Sequence, residues 1–167
     1  MSGAPGVTRQ RRAIVDTNVW LDLFLFCDPA SGPLARALAG PGWTAARCAQ
    51  TDAELEAVLQ RPRFSSSPEA RLHWQARLAR WQARVPLFRL GAQAPWICRD
   101  RDDQKFLDLA FATGAAALLT KDKALLAVNR QACRDGLSIL TPNQFAGRFP
   151  EYRITQGERV VERMMAP

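Results

Sequence analysis

Short apolar runs alternate along this chain with longer stretches of helical periodicity. The runs predict β-strands at Arg12 to Asp16, Trp43 to Cys48, Ala115 to Thr120 and Leu137 to Leu140, with a further edge piece at Pro86 to Leu90. Continuous apolar runs are typical of strands that are buried on both faces of a parallel sheet. The pattern therefore predicts an α/β fold with a central parallel sheet between helices, in three α/β/α layers.

Apolar residues at helical spacing predict helices between and after these strands. They cover Asn18 to Phe26, Gly32 to Ala39, Thr51 to Gln60, Pro68 to Arg84, Asp102 to Thr113, Lys121 to Asn129, and a short segment after Pro142. The stretch RPRFSSSPEA has the proline and serine content of an exposed, mobile connection. We expect a flexible lead over residues 1–11, one domain over residues 12–149, and a C-terminal tail without clear periodicity over residues 150–167.

Composition limits the class of protein. The 167 residues are 47% hydrophobic without an apolar run long enough to span a bilayer, and the basic N-terminus lacks the apolar segment of a secretory signal. We therefore expect a cytoplasmic protein with no membrane contact. The chain has no C-x-x-C pair and only one histidine, His73, which argues against a zinc ribbon. We interpret the cysteines as buried thiols: Cys27, Cys48, Cys98 and Cys133.

The charge balance favours a polyanionic partner. The formal net charge is +7 and the isoelectric point is near 10, and clustered arginines attract phosphates. Nearly all of this charge is arginine, however, and an excess of arginine and alanine is also typical of GC-rich genomes. The net charge is therefore compatible with RNA as the partner without requiring it.

The predicted helix Pro68 to Arg84 has two faces of different chemistry. We interpret the apolar stripe as either core or the contact of a homodimer: Trp74, Leu78, Trp81 and Val85. The neighbouring face carries candidate RNA-binding residues, for which a solvated surface is the alternative: Arg77, Arg80 and Arg84.

Carboxylates recur where predicted strands end and predicted helices begin. Asp16 follows the first strand, Asp122 follows the strand that ends at Thr120, and Glu54 lies beside the apolar face of the third helix. Another helix opens with a cluster of acids: Asp100, Asp102 and Asp103. Each acid by itself is explained as a helix cap or as a first-turn residue that interacts with the helix dipole. Capping does not require, however, that the acids recur at the same rim of one sheet.

Several carboxylates within a few ångströms repel one another unless a divalent cation neutralises them. Mg²⁺ and Mn²⁺ prefer oxygen ligands, and in nucleases they stabilise the attacking and leaving oxygens of phosphoryl transfer. An acidic pocket within a basic protein suits that chemistry, because metal ions would occupy the pocket while arginines contact the phosphate backbone. The pattern therefore indicates a metal-dependent nuclease.

Other phosphate chemistries lack residues that they need. A phosphatase of the aspartyl-phosphate type requires a second aspartate two residues after Asp16, and that position is Asn18. Neither type of glycine-rich phosphate-binding loop is present. A ribonuclease that uses histidine as acid and base normally needs two groups that titrate near neutrality, and His73 is alone.

The motifs VDTNVWLD, ELEAVLQRPRF and RDDQKFLDLAFATGAAALLTKDKALL, in this order, resemble the PIN domain family. They resemble specifically the branch that comprises the toxin components of toxin–antitoxin pairs, and the resemblance covers Ala13 to about Phe145. It implies a PIN-like fold, a metal-dependent ribonuclease that hydrolyses RNA, and a cognate antitoxin protein as partner. The alternative is a PIN-like module that binds RNA or protein without cutting.

The resemblance also implies roles for individual residues. Four acids would bind Mg²⁺ or Mn²⁺ and carry catalysis: Asp16, Glu54, Asp103 and Asp122. Three residues would support them through hydrogen bonds: Thr17, Asn18 and Thr120. Asp103 is chosen over Asp102 because it has the family's spacing to the FLDLA helix, and Asp100 is a candidate additional ligand.

Overall fold

The structure is a computed structural model that describes residues 10–153. Its strands are β1 (Arg11–Val15), β2 (Trp43–Ala45), β3 (Arg47–Cys48), β4 (Leu87–Phe88), β5 (Ala117–Leu119) and β6 (Ser138–Leu140). Four of them form a parallel sheet in the order β2-β1-β5-β6, and β3 pairs with β4 in a separate parallel sheet. The predicted central parallel sheet is therefore confirmed.

The helices occupy the intervals between strands. They are α1 (Thr17–Leu21), α2 (Gly32–Ala39), α3 (Ala49–Leu59), α4 (Pro68–Arg84), α5 (Gln104–Thr113), α6 (Lys123–Ala132) and α7 (Pro142–Arg148). A π-helical turn, Asp22–Phe26, continues α1, and short 3-10 turns occupy Pro29–Ser31, Cys133–Asp135 and Pro150–Tyr152. No helix within residues 10–153 has the length and apolarity to cross a bilayer.

Helices cover both faces of the sheet, so that the fold has three layers. Successive strand residues point to opposite faces: Val15 packs in one core cluster and Ile14 in the other. The first cluster receives side chains from α1, α2, α3, α4 and α7, and the second receives them from α5 and α6. The three-layer α/β/α architecture predicted from the sequence is confirmed.

The predicted strand Trp43 to Cys48 is divided in two. Up to Ala46, whose N–H donates to the Ala13 carbonyl at 3.2 Å, the segment pairs with β1. The Arg47 N–H instead donates to the Pro86 carbonyl at 3.2 Å, which begins the pairing with β4. The predicted edge piece at Pro86 to Leu90 therefore exists, but it belongs to the second sheet.

The apolar stripe of α4 lies in the core. Trp74, Leu78 and Trp81 are buried, and Val85 packs against the same cluster. The ring of Trp81 contacts that of Trp20 edge to face, with centroids 4.7 Å apart. Of the two interpretations of this stripe, the core interpretation is confirmed, and a homodimer stays a prediction.

The interpretation of all cysteines as buried thiols is wrong for two of them. Cys48 and Cys98 are buried, whereas Cys27 and Cys133 are exposed. Cys27 directly follows the π-helical turn in the left-handed conformation, with φ of 48°, and Cys133 begins a 3-10 turn after α6. Both lie where the chain leaves a helix at the surface, which apolar composition alone does not reveal.

The proposed chain limits fall mainly outside the described residues. Residues 1–9 and 154–167, which contain most of the predicted lead and tail, are not described. Within the described part, Arg11 already belongs to β1, and Pro150–Tyr152 forms a 3-10 turn.

Candidate active site

The ends of β1 and β5 adjoin where the strand order changes direction. Strand β2 lies on one side of β1, whereas β5 and β6 lie on the other. Asp16 follows β1, and its backbone N–H donates to the carbonyl of Leu119, the last residue of β5, at 2.9 Å. Open α/β sheets bind ligands in the crevice outside the carboxyl ends of the strands at such a point. The candidate site is therefore set by the topology.

Asp16 is buried at this crevice and does not cap a helix. It directly precedes α1 but forms no capping hydrogen bond through its side chain. The pKa of Asp16 is raised to about 6, mainly by burial and also by the charges of Glu54 and Asp122. The Thr120 hydroxyl, which donates to Asp16 Oδ2 at 2.8 Å, and the nearby backbone N–H of Asn18 lower it. The side-chain hydrogen bond that the Asp16 carboxylate does accept comes from Thr120, and no capping hydrogen bond joins its side chain to α1.

Asp103 is the second acid that the structure leaves without a capping role. It directly precedes α5, yet its side chain makes no capping hydrogen bond. The pKa of Asp103 is raised to about 6. Burial is the largest cause, the charges of Asp122, Asp16 and Asp100 also raise the pKa, and Lys105 lowers it. The repulsion between Asp103, Asp122 and Asp16 places these three acids in one electrostatic environment.

Asp100 and Asp102 occupy the exposed entry to α5. The backbone N–H of Asp102 donates to Asp100 Oδ1 at 2.9 Å, and both residues are exposed. Asp100 contributes to the raised pKa of Asp103, and it lines a cavity together with Asp122. Asp103 is half-buried and faces the other acids electrostatically, which distinguishes it from the exposed Asp102.

Asp122 does cap a helix. Its Oδ1 accepts hydrogen bonds from the backbone N–H groups of Ala124 at 2.6 Å and Leu125 at 3.3 Å, at the start of α6. Both capping bonds are accepted by Oδ1, so that Oδ2 of Asp122 takes no part in the cap. The Asp122 N–H donates to the Thr120 hydroxyl at 2.9 Å, while that hydroxyl donates to Asp16. Thr120 therefore links the two acids.

Glu54 joins the group from α3. Its Oε2 lies 2.5 Å from Lys105 Nζ on α5, and its charge raises the pKa of Asp16. Glu54 is half-buried, as its place beside the apolar face of the helix predicts. The structure thus brings the four predicted acids to one rim. No set of three or more acidic, cysteine or histidine side chains within residues 10–153 converges tightly enough to enclose a metal ion by itself.

The two remaining predicted support residues differ in exposure. Thr17 is buried, whereas Asn18 is exposed and lines a cavity of about 500 Å³ together with Asp122. The supporting roles of Thr17 and Asn18 stay predictions.

Sequence reasoning missed an ion pair beside the acids. Asp22 is buried, and its Oδ2 lies 2.6 Å from Nζ of Lys121, the residue between Thr120 and Asp122. Both residues line the same cavity as Asn18. The sequence predicted Cys98 as a buried thiol but not its place beside the acids: burial raises the pKa of Cys98, and the nearby Asp103, Asp122 and Asp100 also raise it. An acid inside the apolar run VWLDLFLF was the available signal for Asp22.

For two arginines of α4 the structure gives a location. Arg77 donates to the carbonyl of Phe24, and Arg84 lines a cavity with Trp20 and Trp81 that contains none of the four acids. RNA binding by Arg77, Arg80 and Arg84 stays a prediction.

The fold and the site together define an α/β protein with an acidic crevice at the carboxyl ends of its strands. The family model of the PIN domain matches residues 12–124, more than half of the chain and a range that includes all four acids. The chain belongs to the PIN domain family. No curated protein matches the chain, and no solved structure matches it. PIN domains are typically nucleases that use divalent metals, so that family membership indicates nuclease activity and suggests RNA as the substrate.

Proposed function

We propose that this protein is a Mg²⁺- or Mn²⁺-dependent endoribonuclease that hydrolyses phosphodiester bonds in RNA. The observation that carries the proposal is the mutual repulsion of Asp16, Asp103 and Asp122, which helps burial to raise two aspartate pKa values to about 6. Keeping several acids together at buried strand ends costs stability unless a cation neutralises them. Their retention is understandable if they hold a metal.

The donor set fits a hard divalent cation. The residues that would hold it are Asp16, Glu54, Asp103 and Asp122, with Asp100 as an additional candidate. Mg²⁺ keeps several waters and is usually held by one or two protein carboxylates, so that acids spread around an open crevice suit it better than a closed protein cage. When bound, the metal supplies Lewis-acid activation of water and neutralises charge that develops on the phosphate.

The side chains around the acids position them. The Thr120 hydroxyl orients the Asp16 carboxylate and accepts from the Asp122 N–H, so that one residue aligns two acids. Helix α6 holds Asp122 through Oδ1. Lys105 holds Glu54 and offsets part of the negative charge.

Cations next to the acids support a phosphate-containing substrate. A cavity of about 460 Å³ is lined by Asp100 and Asp122 together with Arg99, Arg101 and Lys123. These cations are placed to contact the backbone of a nucleic acid beside the metal site, because backbone contacts are what position a protein on RNA or DNA.

The decisive experiment compares wild type with Asp16→Asn. We expect the variant to remain folded and to lose at least about a hundredfold in cleavage of single-stranded RNA, since loss of outer ligand contacts alone costs about 10- to 100-fold. Excess chelator should abolish wild-type cleavage, and Mg²⁺ or Mn²⁺ should restore it. Asp28→Asn is the matched control, because Asp28 caps a 3-10 turn, lines neither cavity that contains Asp122, and asparagine also caps.

Cleavage that persists in excess chelator would refute the metal requirement. RNA binding without metal-dependent cleavage would instead favour a non-catalytic PIN-like module.

We further propose that the protein is the toxin of a type II toxin–antitoxin pair and is held by a cognate antitoxin protein in the cytoplasm. The ordered motifs from VDTNVWLD to TKDKALL support this branch of the family. Induced expression should arrest growth, Asp16→Asn should not, and co-expression of the adjacent small open reading frame should relieve the arrest. A folded, metal-loaded wild-type chain that leaves growth unchanged would contradict the toxin role.

A further inference from the structure

One side of the acidic centre opens into a cavity of about 500 Å³. Asn18 and Asp122 line it at the end nearest the acids. Two phenylalanines, one arginine and one lysine also line it: Phe26, Phe64, Arg63 and Lys121. Aromatic rings and cations next to a nuclease centre are the side chains that contact unpaired nucleotides.

The two rings form an exposed aromatic pair. Phe26 is 59% exposed, and its ring centroid lies 6.0 Å from that of Phe64, with the planes inclined at 58°. The Arg63 guanidinium lies over Phe64, 4.5 Å from its ring centroid. An aromatic side chain left this exposed beside a cavity offers a face on which a planar group can stack.

The fold holds both rings in place. Phe26 ends the π-helical turn, and such turns often occur at functional sites. Phe64 lies in the predicted loop, where its N–H donates to the Arg61 carbonyl at 2.9 Å. The adjacent Ser65 hydroxyl donates to the Leu59 carbonyl at 2.9 Å and accepts from Trp74 Nε1 at 3.0 Å. The loop is exposed as predicted, but these bonds anchor the part that carries Phe64.

The cations of the cavity are placed for phosphates. The ion pair with buried Asp22 positions Lys121, whose side chain is still 47% exposed. Arg63 is exposed beside the rings. Asp122 also lines the second cavity, which has Arg99, Arg101 and Lys123 but, within residues 10–153, no aromatic side chain. The two sides of Asp122 therefore differ: one has rings and cations, and the other has cations only.

We propose that Phe26 and Phe64 form a base-stacking subsite for single-stranded RNA. The base of a nucleotide next to the cleaved bond stacks on the Phe26 side, and Arg63 and Lys121 contact its phosphate. On the other side of Asp122, Arg99, Arg101 and Lys123 contact the backbone alone. The inference rests on the proposed function for its substrate class. The subsite predicts a preference for unpaired RNA, because a base within a helix cannot expose its face.

The first test measures binding of a short single-stranded RNA to Asp16→Asn protein, which avoids cleavage. Adding Phe26→Leu or Phe64→Leu should weaken binding about 5- to 100-fold, the range for loss of one stacked base, without changing the salt dependence. Adding Arg63→Gln should lower the log–log salt slope by about 0.7. Phe111→Leu is the matched control: Phe111 is 45% exposed and packs on Trp96, and it does not line the cavity.

The second test moves one abasic position along the RNA. Affinity for the parent protein should fall when the abasic site is at one or two positions. Phe26→Leu should remove that sensitivity, because the variant has already lost the stacking contact that the missing base would make. Affinity for fully paired RNA should be the same in both proteins. Each variant is compared with its parent by thermal unfolding, and the exposed Phe26 makes Phe26→Leu the variant least able to disturb the fold.

Unchanged affinity in Phe26→Leu and Phe64→Leu, with no position-dependent abasic effect, would overturn the subsite and assign the aromatic pair to another partner. The outcome is independent of the proposed catalysis. If wild-type protein does not cleave but the stacking pattern is found, the nuclease proposal fails and the subsite stands. If Phe26→Leu in the otherwise wild-type chain cleaves and binds RNA like wild type, the subsite fails and the nuclease stands.

Discussion

Two groups of charged side chains lie below the surface of this protein, and they are built in opposite ways. Around Arg47, the guanidinium pairs with Asp52 and donates to the carbonyls of Val85 and Gln82, each at 2.9 Å. Around Asp16, in contrast, the neighbouring charged side chains include the acids Glu54 and Asp122, which repel the Asp16 carboxylate. Both groups have aspartates whose pKa is raised by burial, so burial alone does not distinguish them.

The difference lies in the effects that follow burial. For Asp52 the two largest effects after burial are the hydrogen bond and the charge of Arg47, and both lower the pKa. For Asp103 the three largest effects after burial are the charges of Asp122, Asp16 and Asp100, and all three raise the pKa. A charged group that supplies its own counterion ties elements together, as Arg47 does for β3, α3 and the end of α4. A group that keeps an excess of like charge lowers stability, and it is understandable as a site for a ligand of opposite charge.

The largest effect expected from this comparison is on stability. Arg47→Met should lower the free energy of unfolding by about 3 kcal/mol or more, because it leaves Asp52 below the surface without its partner. Urea unfolding measures the change, and the folded fraction should keep wild-type affinity for Mn²⁺. The double variant Arg47→Met/Asp52→Leu should recover much of the loss. A negligible effect of Arg47→Met would remove the structural side of the comparison.

In the acidic group, removing a charge should raise the free energy of unfolding instead of lowering it. The pKa of Asp16 is about 6 in the native protein against 3.8 as reference for the unfolded chain, so the native state binds more protons between these values. The contribution of Asp16 to stability in chelator should therefore be fully present below about pH 4 and fall by up to roughly 3 kcal/mol as pH rises through 6.

Asp16→Asn should remove that part of the fall, while Asp103, whose pKa is also raised to about 6, still contributes its own. The variant should therefore be more stable than wild type at pH 7.5 and similar at pH 4. Urea unfolding across this range, with Asp28→Asn as control, measures it. Equal pH profiles for wild type and Asp16→Asn would contradict an unneutralised acid at this position.

A smaller expected effect separates neighbouring acids. Asp103→Asn should reduce metal-dependent RNA cleavage about a hundredfold, because Asp103 shares the electrostatic environment of Asp16 and Asp122. Asp102→Asn should stay within about twofold, because Asp102 is exposed and joins the turn through its backbone. Initial cleavage rates at matched folded protein measure both variants. The reverse order of the two rates would assign the ligand to Asp102.

Local chemistry in the sequence is sufficient for much of the fold. The predicted bounds of α2 and α4 match the structure, because each helix has proline in its first turn and α2 ends before a glycine. The strand that precedes Asp16 and the parallel sheet also follow from apolar runs and their order. The predicted strand Trp43 to Cys48 was too long, because its change of partner from β1 to β4 depends on a distant segment.

The sequence by itself determined which acids follow strands or begin helices, since that depends on neighbouring residues. Only the tertiary structure decided which of them cap. Asp122 caps α6 through its side chain, whereas Asp16 and Asp103 make no side-chain capping hydrogen bond. Only the tertiary structure brought together Glu54 and Lys105, Asp22 and Lys121, and Phe26 and Phe64. The physical reason is that a propensity acts over one helical turn, whereas repulsion, ion pairing and ring contact act across space between elements that only folding brings together.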